Sequence, residues 1–488
     1  MSTPGGRRVV VVSPMPPEKS AYALARYSRS PDSIFQSLEW VRSHDSQAFL
    51  ESYYFQYGHA SIADLGHAIL CFEGISELAA IEIEDEPLWD GQAKSSRYQD
   101  FSSAGVVTPP EIAGTPAETV YGAAARSLLD GYLELHRRVL DFLVERHPRP
   151  ESMKAAPYRR TMAARAYDVA RYLLFLGIPT NVGQVASIRT LEKQVRRLGA
   201  SSYQEARVIA AEIAQACASP PACAWEPGLA QEPLAPTLAR HADPDLFTAQ
   251  ARRNVAAWAA QNLPSRAEPA PVSVDLVMAG QTSLLDPLDE IVATLLFAVT
   301  HFPFRRLLEE VRDWSAARKR EVVDAALQGR GRRDELPREF HSGYAFLFDV
   351  VCDIGAYRDL HRHRRCQQIR QDYSAALGEE TPSPVVEAGL ESFYQQALEQ
   401  ARSARHQLAS ASPQAAHYLA PFASRVRFLY KMDFAEAEYI ARVRSGVKGH
   451  FSYRDIAWRM RERVAQAAPE LGRLMEATPP WVEDALNR

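Results

Sequence analysis

"ARYLLFLGIPTNVGQVASIRTLEKQVRRLGASSYQEAR" runs from Ala170 to Arg207, and "AHYLAPFASRVRFLYKMDFAEAEYIARVRSGVKGHFSYRD" from Ala416 to Asp455. Both pass from an Ala-x-Tyr-Leu start, through an amphipathic helix pattern with basic residues at its end, to a Ser-Tyr turn that opens another helix. A second pair precedes them in the same order: "AILCFEGISELAAIEIEDEPLWDGQAKSSRYQDFS", Ala68 to Ser102, and "AFLFDVVCDIGAYRDLHRHRRCQQIRQDYS", Ala345 to Ser374. Each of these is a buried run followed by a polar, arginine-bearing tail. Two pairs in the same order predict a tandem duplication. The expected fold class is α+β: two helix-rich modules, each with a small β-sheet, related by a pseudo-twofold axis. The competing explanation is chance likeness among Ala- and Arg-rich helices.

Between about Ser219 and Val272 the chain turns Pro- and Ala-rich, as in "SPPACAWEPGLAQEPLAPTLARHADPD" and "LPSRAEPAPVS". Proline at that density interrupts both helix and strand, so this is the expected connector. The expected domains are a first module over 1–225, a connector over 226–272 and a second module over 273–488. Long helices are expected over Glu118 to Arg146 and Ser392 to Ser410. The stretch "RRVVVVSP", Arg7 to Pro14, is too short and too interrupted for a signal segment and reads as a first β-strand.

At 488 residues and 46% hydrophobic, the chain can build substantial cores, and its formal net charge of -4 argues against a general nucleic-acid coat. Cys71, Cys217, Cys223, Cys352 and Cys366 are scattered and odd in number, without zinc or redox spacing. They read as free thiols of a cytoplasmic protein. No apolar stretch approaches the length of a membrane span.

Against that charge balance, "RDLHRHRRCQQIRQDYS", Arg358 to Ser374, holds five arginines and two histidines. Such a run can be a solvated helix face. Here it follows the apolar run "FHSGYAFLFDVVCDIGAY", which favours a pocket wall and an anionic ligand, since arginine suits bidentate phosphate or carboxylate recognition. A nucleic-acid patch is the weaker alternative because no aromatic residues interleave the charges.

The triplet Arg362-His363-Arg364 resembles the signature of the flavin-dependent thymidylate synthases, which is Arg-His-Arg, seven residues, then Ser-x-Arg-Tyr. The second half has the triplet, but Asp372 stands at the Ser position and only Tyr373 echoes the ending. The first half reverses this: "SSRYQDFS" supplies Ser95, Arg97 and Tyr98, while acidic "EDEP", Glu84 to Pro87, replaces the triplet. "YGHASIAD" resembles the family's Gly-His-x-Ser/Thr segment, with His59, Ser61 and Asp64 at its flavin-contacting positions; "THFPF" around His301 is a weak echo. Arg171 matches the family's nucleotide-phosphate arginine, and Ser187 and Arg189 fall on its Asn-x-Arg pair. The late substrate-activating arginine lands on Leu198 in the first half and on Arg444 in the second. His417 and Asp433 replace the phosphate arginine and the Asn there.

The resemblance therefore implies two specialised halves. Flavin-binding residues would be His59, Ser61, Asp64, Arg362, His363, Arg364, Arg189 and Ser187. Substrate-binding residues would be Arg97, Tyr98 and Arg171. Arg444 and Ser95 are the candidate catalytic pair, Arg444 stabilising charge on the pyrimidine and Ser95 hydrogen-bonding the substrate, since no nearby histidine activates it as a nucleophile. No Rossmann fingerprint is present. The implied cofactor is FAD, with NADPH and methylenetetrahydrofolate as possible co-substrates. The implied substrate is a pyrimidine nucleotide such as dUMP, with no metal, no membrane and no nucleic acid as partner, and the implied assembly is a homodimer mimicking the family's tetramer. Two alternatives stay open: a flavoenzyme of the same fold with another substrate or reaction, and a noncatalytic nucleotide-binding protein.

Overall fold

Strand β5 (Phe346–Asp353) is buried at every one of its residues, the pattern of a strand covered on both faces. Strand β1 (His67–Ser76) instead alternates between exposed and buried along its first half, with one face in water. These strands belong to two separate antiparallel sheets. In the first, β3 (Pro179–Ser187) lies between β1 and β2 (Asp90–Ala93). In the second the order is β4 (Ser273–Ala279), β5, β7 (Arg425–Met432), β6 (Gln367–Arg370). The computed structural model describes residues 15–28, 30, 33–52, 60–97, 101–103, 105–223, 228, 231–264, 268–279, 286–331 and 334–486. The strand expected over Arg7 to Pro14 lies outside them.

Helices dominate between the strands. In the first half, β1 leads into α1 (Glu77–Glu84), and β2 is followed by α2 (Pro116–Arg146), α3 (Ala155–Ala170), β3, α4 (Ile188–Gly199) and α5 (Gln204–Cys217). The predicted long helix over Glu118 to Arg146 is thus present. Between the halves come α6 (Leu246–Asn262), then β4, α7 (Pro287–Val299), α8 (Phe304–Arg312) and α9 (Ala316–Leu327). In the second half β5 leads into α10 (Ile354–Leu360), and β6 is followed by α11 (Glu391–Ala411), α12 (Pro413–Tyr418), β7, α13 (Phe434–Ser445) and α14 (Phe451–Ala467). The fold is α+β, helix-rich, with small antiparallel sheets, as expected.

Proline density marks the 226–272 stretch, yet α6 forms inside it. Its window from Leu246 to Asn262 contains no proline, and Asp245 caps it by accepting the Thr248 N–H at 3.0 Å. Helices α6 to α9 form a layer over one face of the second sheet, where Val255, Leu296, Phe297 and Leu308 meet Leu347, Ile369 and Leu429. Within this layer the buried Lys431 ammonium is fully engaged, with Glu290 at 2.7 Å, Thr294 Oγ1 at 2.9 Å and the His341 carbonyl at 3.1 Å. Among the described residues the first sheet has no such helical layer on the face of Ile69, which stands 74% exposed.

One continuous core joins the two halves: Leu128, Tyr132 and Leu135 of α2 share it with Leu398 and Ala401 of α11. At its centre Tyr172–Gly177 runs antiparallel to Tyr418–Ala423. Leu176 N–H donates to Ala420 O at 3.1 Å, Gly177 N–H to Tyr418 O at 2.7 Å, Phe422 N–H to Leu174 O at 2.7 Å and Ala423 N–H to Tyr172 O at 3.0 Å. Gly177 is required there, because an added Cβ would land on the Tyr121 hydroxyl and come within 3.2 Å of Tyr418 O. Among the described residues no helix is long and apolar enough to cross a membrane.

Gly177→Ala should destabilise the protein by about 1–3 kcal/mol through overpacking, read as a lower urea midpoint with an unchanged slope. An unchanged midpoint would show that the junction has room to yield.

Candidate functional site

The junction carries Arg171 at its first-half entrance, directly after α3, and sets it against α10 of the second half. Arg171 is 1% exposed. Its Nη1 donates to Asp359 Oδ2 at 3.3 Å, while Nε and Nη2 have no hydrogen-bond partner. The close approach depends on Gly355, where a Cβ would stand 3.2 Å from Arg171 Nη2. Burial alone would raise the Asp359 pKa, but the Arg171, Arg358, Arg362 and Arg97 charges together hold it below its ordinary value. Four guanidinium groups, two from each half, therefore converge on one carboxylate.

Arg97 is held on three sides. Its Nε and Nη2 donate to the two oxygens of Asp168 at 3.0 and 3.3 Å, Nη1 donates to the Tyr453 hydroxyl at 2.9 Å, and Nη2 also reaches the Lys448 carbonyl at 3.2 Å. The Ser95 hydroxyl oxygen accepts the Arg97 N–H at 3.2 Å and so shapes the turn that delivers the arginine. His450 closes the back of this group. Its Nε2–H donates to the Asp168 carbonyl at 2.9 Å while Nδ1 accepts from Ser452 N–H at 3.2 Å. Burial first, and then the Arg171 and Arg97 charges, push its pKa well below the ordinary histidine value, so the ring is neutral.

Asp353, the cap of α10, accepts from Ala356 N–H at 2.8 Å, from the Tyr172 hydroxyl at 3.3 Å and from the Ser452 hydroxyl. Arg358 follows on α10, 2.7 Å from Glu77 and 3.0 Å from the Ser96 hydroxyl, with its Cζ 5.0 Å from the Phe422 ring centroid. The guanidinium of the half-buried Arg362 has no hydrogen-bond or ion-pair partner among the described residues, although its charge acts on Glu77 and Asp359. Arg444 also lies against Tyr453. The Arg444 and Arg97 Cζ atoms stand 5.6 and 5.7 Å from the Tyr453 ring centroid, and Arg444 Nε donates to His363 Nε2 at 2.8 Å.

The remaining candidates sit apart from this group. Asp64 pairs with Arg189 at 3.1 Å and receives the Ser187 hydroxyl at 3.5 Å, with Ser187 also capping α4; Ser61 is exposed in the 3-10 turn Ala60–Leu65. Ser187 ends β3, whereas the turn bearing Ser95 and Arg97 follows Lys94, whose N–H bonds the Asn181 carbonyl nearer the start of β3. At the rise of an extended chain these two places are about 20 Å apart. Arg364 belongs to neither group. It pairs with Asp90 at 2.8 Å, and its Cζ lies 5.3 Å from the Trp89 ring centroid. His59 and Tyr98 lie outside the described residues.

The structure thus brings Arg97, Arg171, Arg362, His363 and Arg444 together, with Ser95 at the adjoining turn, and leaves Ser61, Asp64, Ser187 and Arg189 elsewhere. It adds Asp168, Asp359, Glu77, Arg358, His450 and Tyr453. A sequence signal existed for four of these: Arg358 and Asp359 open the quoted basic stretch, Asp168 precedes Arg171 by one helical turn, and Tyr453 sits in the Ser-Tyr turn of the repeat.

The family model described as "Thymidylate synthase complementing protein" matches residues 10–219 and 338–470. Among curated relatives, a UPF0159 protein of Chlamydia muridarum is 26% identical over 428 residues, covering 85% of this chain and 77% of its own length. Another, of Thermoplasma acidophilum, is 22% identical over 491 residues and covers 93% of this chain and 94% of its own. Among solved structures, a flavin-dependent thymidylate synthase from Helicobacter pylori complexed with FAD and dUMP aligns at 14% identity and a TM-score of 0.24, over 41% of this chain and 88% of that one. A second structure of that Helicobacter pylori enzyme with FAD and dUMP aligns at 15% identity and a TM-score of 0.25, over 46% of this chain and 95% of that one.

Glu77 supplies a test of the site's electrostatics. It is fully buried, and burial outweighs the attraction of Arg358 and Arg362 and raises its pKa from 4.5 to about 7. Its contribution to stability is intact below 4.5 and is lost as the pH rises through about 7. Glu77→Gln should flatten the fall in the urea midpoint across that window. A slope equal to wild type would show that Glu77 does not ionise there.

Proposed function

Because this chain belongs to the thymidylate synthase complementing protein family, we propose that it is a flavin-dependent enzyme that transfers a one-carbon unit to carbon five of a pyrimidine nucleotide such as dUMP. The observation that carries this reading is the surplus of donors at the junction: Arg171 Nε and Nη2 are unpartnered, and the Arg362 guanidinium has no hydrogen-bond or ion-pair partner among the described residues. Guanidinium donors left over beside a single shared carboxylate suit an anionic ligand. Arg97 and Arg171 would hold the nucleotide phosphate, with Ser95 hydrogen-bonding the substrate. Arg444 would stand over the pyrimidine, where its free Nη groups stabilise negative charge on the ring oxygen.

Residues that fit FAD are Arg362 and Arg364 for its phosphates, with His363 beside them; Ser61, Asp64, Ser187 and Arg189, together with His59, are assigned to the more distant part of the cofactor. When bound, the flavin supplies the hydride chemistry. NADPH and methylenetetrahydrofolate are the proposed reductant and one-carbon donor, and a cytoplasmic homodimer is the proposed assembly.

Tandem duplication is part of the reading. It is supported by the common order of elements in the two halves, each with its latest strand hydrogen-bonded between the two others, β3 between β1 and β2 and β7 between β5 and β6. The second copy of the phosphate position is unsuited to an anion. Burial lowers the His417 pKa to about 4, leaving it neutral, and the Asp372 carboxylate near it pairs with Arg252 at 2.9 Å.

The test is the visible absorption spectrum of the purified protein after addition of FAD and removal of the excess by gel filtration, followed by turnover of dUMP. Retained flavin and turnover are expected. Arg444→Ala should spare the flavin spectrum and lower kcat by about 10²–10³. Protein that retains no flavin would overturn the reading.

A further inference from the structure

Both ring nitrogens of His363, which lies in the turn between α10 and β6, are engaged by α13. Nε2 is the atom that meets Arg444 Nε at 2.8 Å, and Nδ1 lies 3.2 Å from Glu436 Oε1. An arginine Nε–H can only donate, so Nε2 must hold the lone pair and Nδ1 the proton. Glu436 accepts that proton's hydrogen bond. The neutral Nδ1–H tautomer is therefore dictated by its two neighbours.

Glu436 and Arg444 belong to the same helix, separated by about 12 Å of helical rise. Arginine reaches back toward the helix N-terminus, and the imidazole bridges the remaining gap. His363 is 6% exposed and Glu436 3%, so water does not compete for either contact. Glu436 is itself fixed, since its backbone N–H is bonded by Asp433 Oδ1 at 2.9 Å. The other side of the ring is held too. The His363 carbonyl accepts from Gln368 Nε2 at 2.8 Å and from the Cys366 thiol at 2.9 Å, and the Tyr439 ring meets the imidazole edge-on at 5.8 Å. Engaging Arg444 through Nε leaves both of its Nη groups, a planar fork, without a hydrogen-bond partner among the described residues.

We propose that Glu436 is a positioning residue: by accepting from His363 Nδ1–H it holds the imidazole as a hydrogen-bond acceptor for Arg444, and so aims the Arg444 fork at an anionic ligand oxygen. The inference rests on the nucleotide reading for the identity of that oxygen, but the relay itself is a property of this chain. Protonation of His363 removes the lone pair and releases Arg444. The charges facing the ring are Glu436 and Arg444 from α13 and Arg364 from its own turn. Burial, with the Arg444 and Arg364 charges, outweighs Glu436 and keeps the ring neutral.

The experiment uses the full chain labelled with [15N]histidine, as wild type, Glu436→Ala and Glu436→Gln. The wild-type His363 nitrogens should report a protonated Nδ1 and an unprotonated Nε2. Glu436→Gln should keep that pattern, because its amide oxygen still accepts, whereas Glu436→Ala should lose it. In parallel, Glu436→Ala should lower kcat for dUMP by about 10²-fold with KM unchanged, the signature of a misaimed group, and Glu436→Gln should restore most of it. If Glu436→Ala leaves the nitrogen pattern as in wild type, or if Gln behaves like Ala in both readouts, the proposal is overturned. A wild-type protein inactive on dUMP would overturn the nucleotide reading, while the nitrogen shifts would still decide the relay.

Discussion

Everything at the candidate site depends on four backbone hydrogen bonds between Tyr172–Gly177 and Tyr418–Ala423. Buried peptide groups must be paired, and here each half supplies partners for the other. The pairing fixes which residues face one another across the junction. It sets Arg171 against Asp359 and Gly355, and it brings the Ser452 and Tyr172 hydroxyls to the same Asp353 cap. A shift of one residue in this pairing would reverse the side chains and dissolve the arginine cluster.

Collecting this much positive charge in a protein interior is costly unless it is compensated. Asp168, Asp359 and Glu77 do this, each engaged by an arginine: Asp168 and Glu77 by an arginine of their own half or the other, and Asp359 across the junction from Arg171. Compensation is incomplete, since Arg171 Nε and Nη2 have no hydrogen-bond partner, and the proposed nucleotide reading depends on this surplus. The carboxylates hold the guanidinium groups in place, so the donors left over are already oriented when a ligand arrives. Preorganisation of this kind avoids reorganisation at the moment of reaction.

Local pattern made part of this legible. The apolar run before Arg358 reads as a buried element, and it is β5, buried at every residue; the basic bloc that follows supplies Arg358 and Arg362 to the charges around Asp359. The pairing of Arg97 with Asp168 and of Arg358 with Glu77 was not legible, since it joins residues far apart in sequence and depends on how helices dock. Motif matching assigned Ser187 to the flavin and Arg97 to the substrate but gave no distance between them; Ser187 ends β3, whereas the turn bearing Arg97 follows Lys94, which bonds near the start of that strand. The Pro-rich stretch hid α6, because proline density was read over the whole stretch while the helix uses a proline-free window within it. Glu436 escaped notice for a similar reason: nothing near it in the chain hints at the imidazole it meets.

The helical layer over the second sheet has no counterpart on the first among the described residues, and it falls in residues that the family model does not match. Amide protons of β5 and β7 lie beneath two layers and should exchange only when the whole molecule opens, whereas the first sheet can loosen in smaller excursions. Arg97, on the turn that follows β2, is carried by that sheet, whereas Arg171 stands in the core the two halves share. Under mild stress Arg97 would part from Asp168 while the second sheet and the Arg171 junction still stood, so the arginine cluster would come apart from its first-sheet side before the fold did.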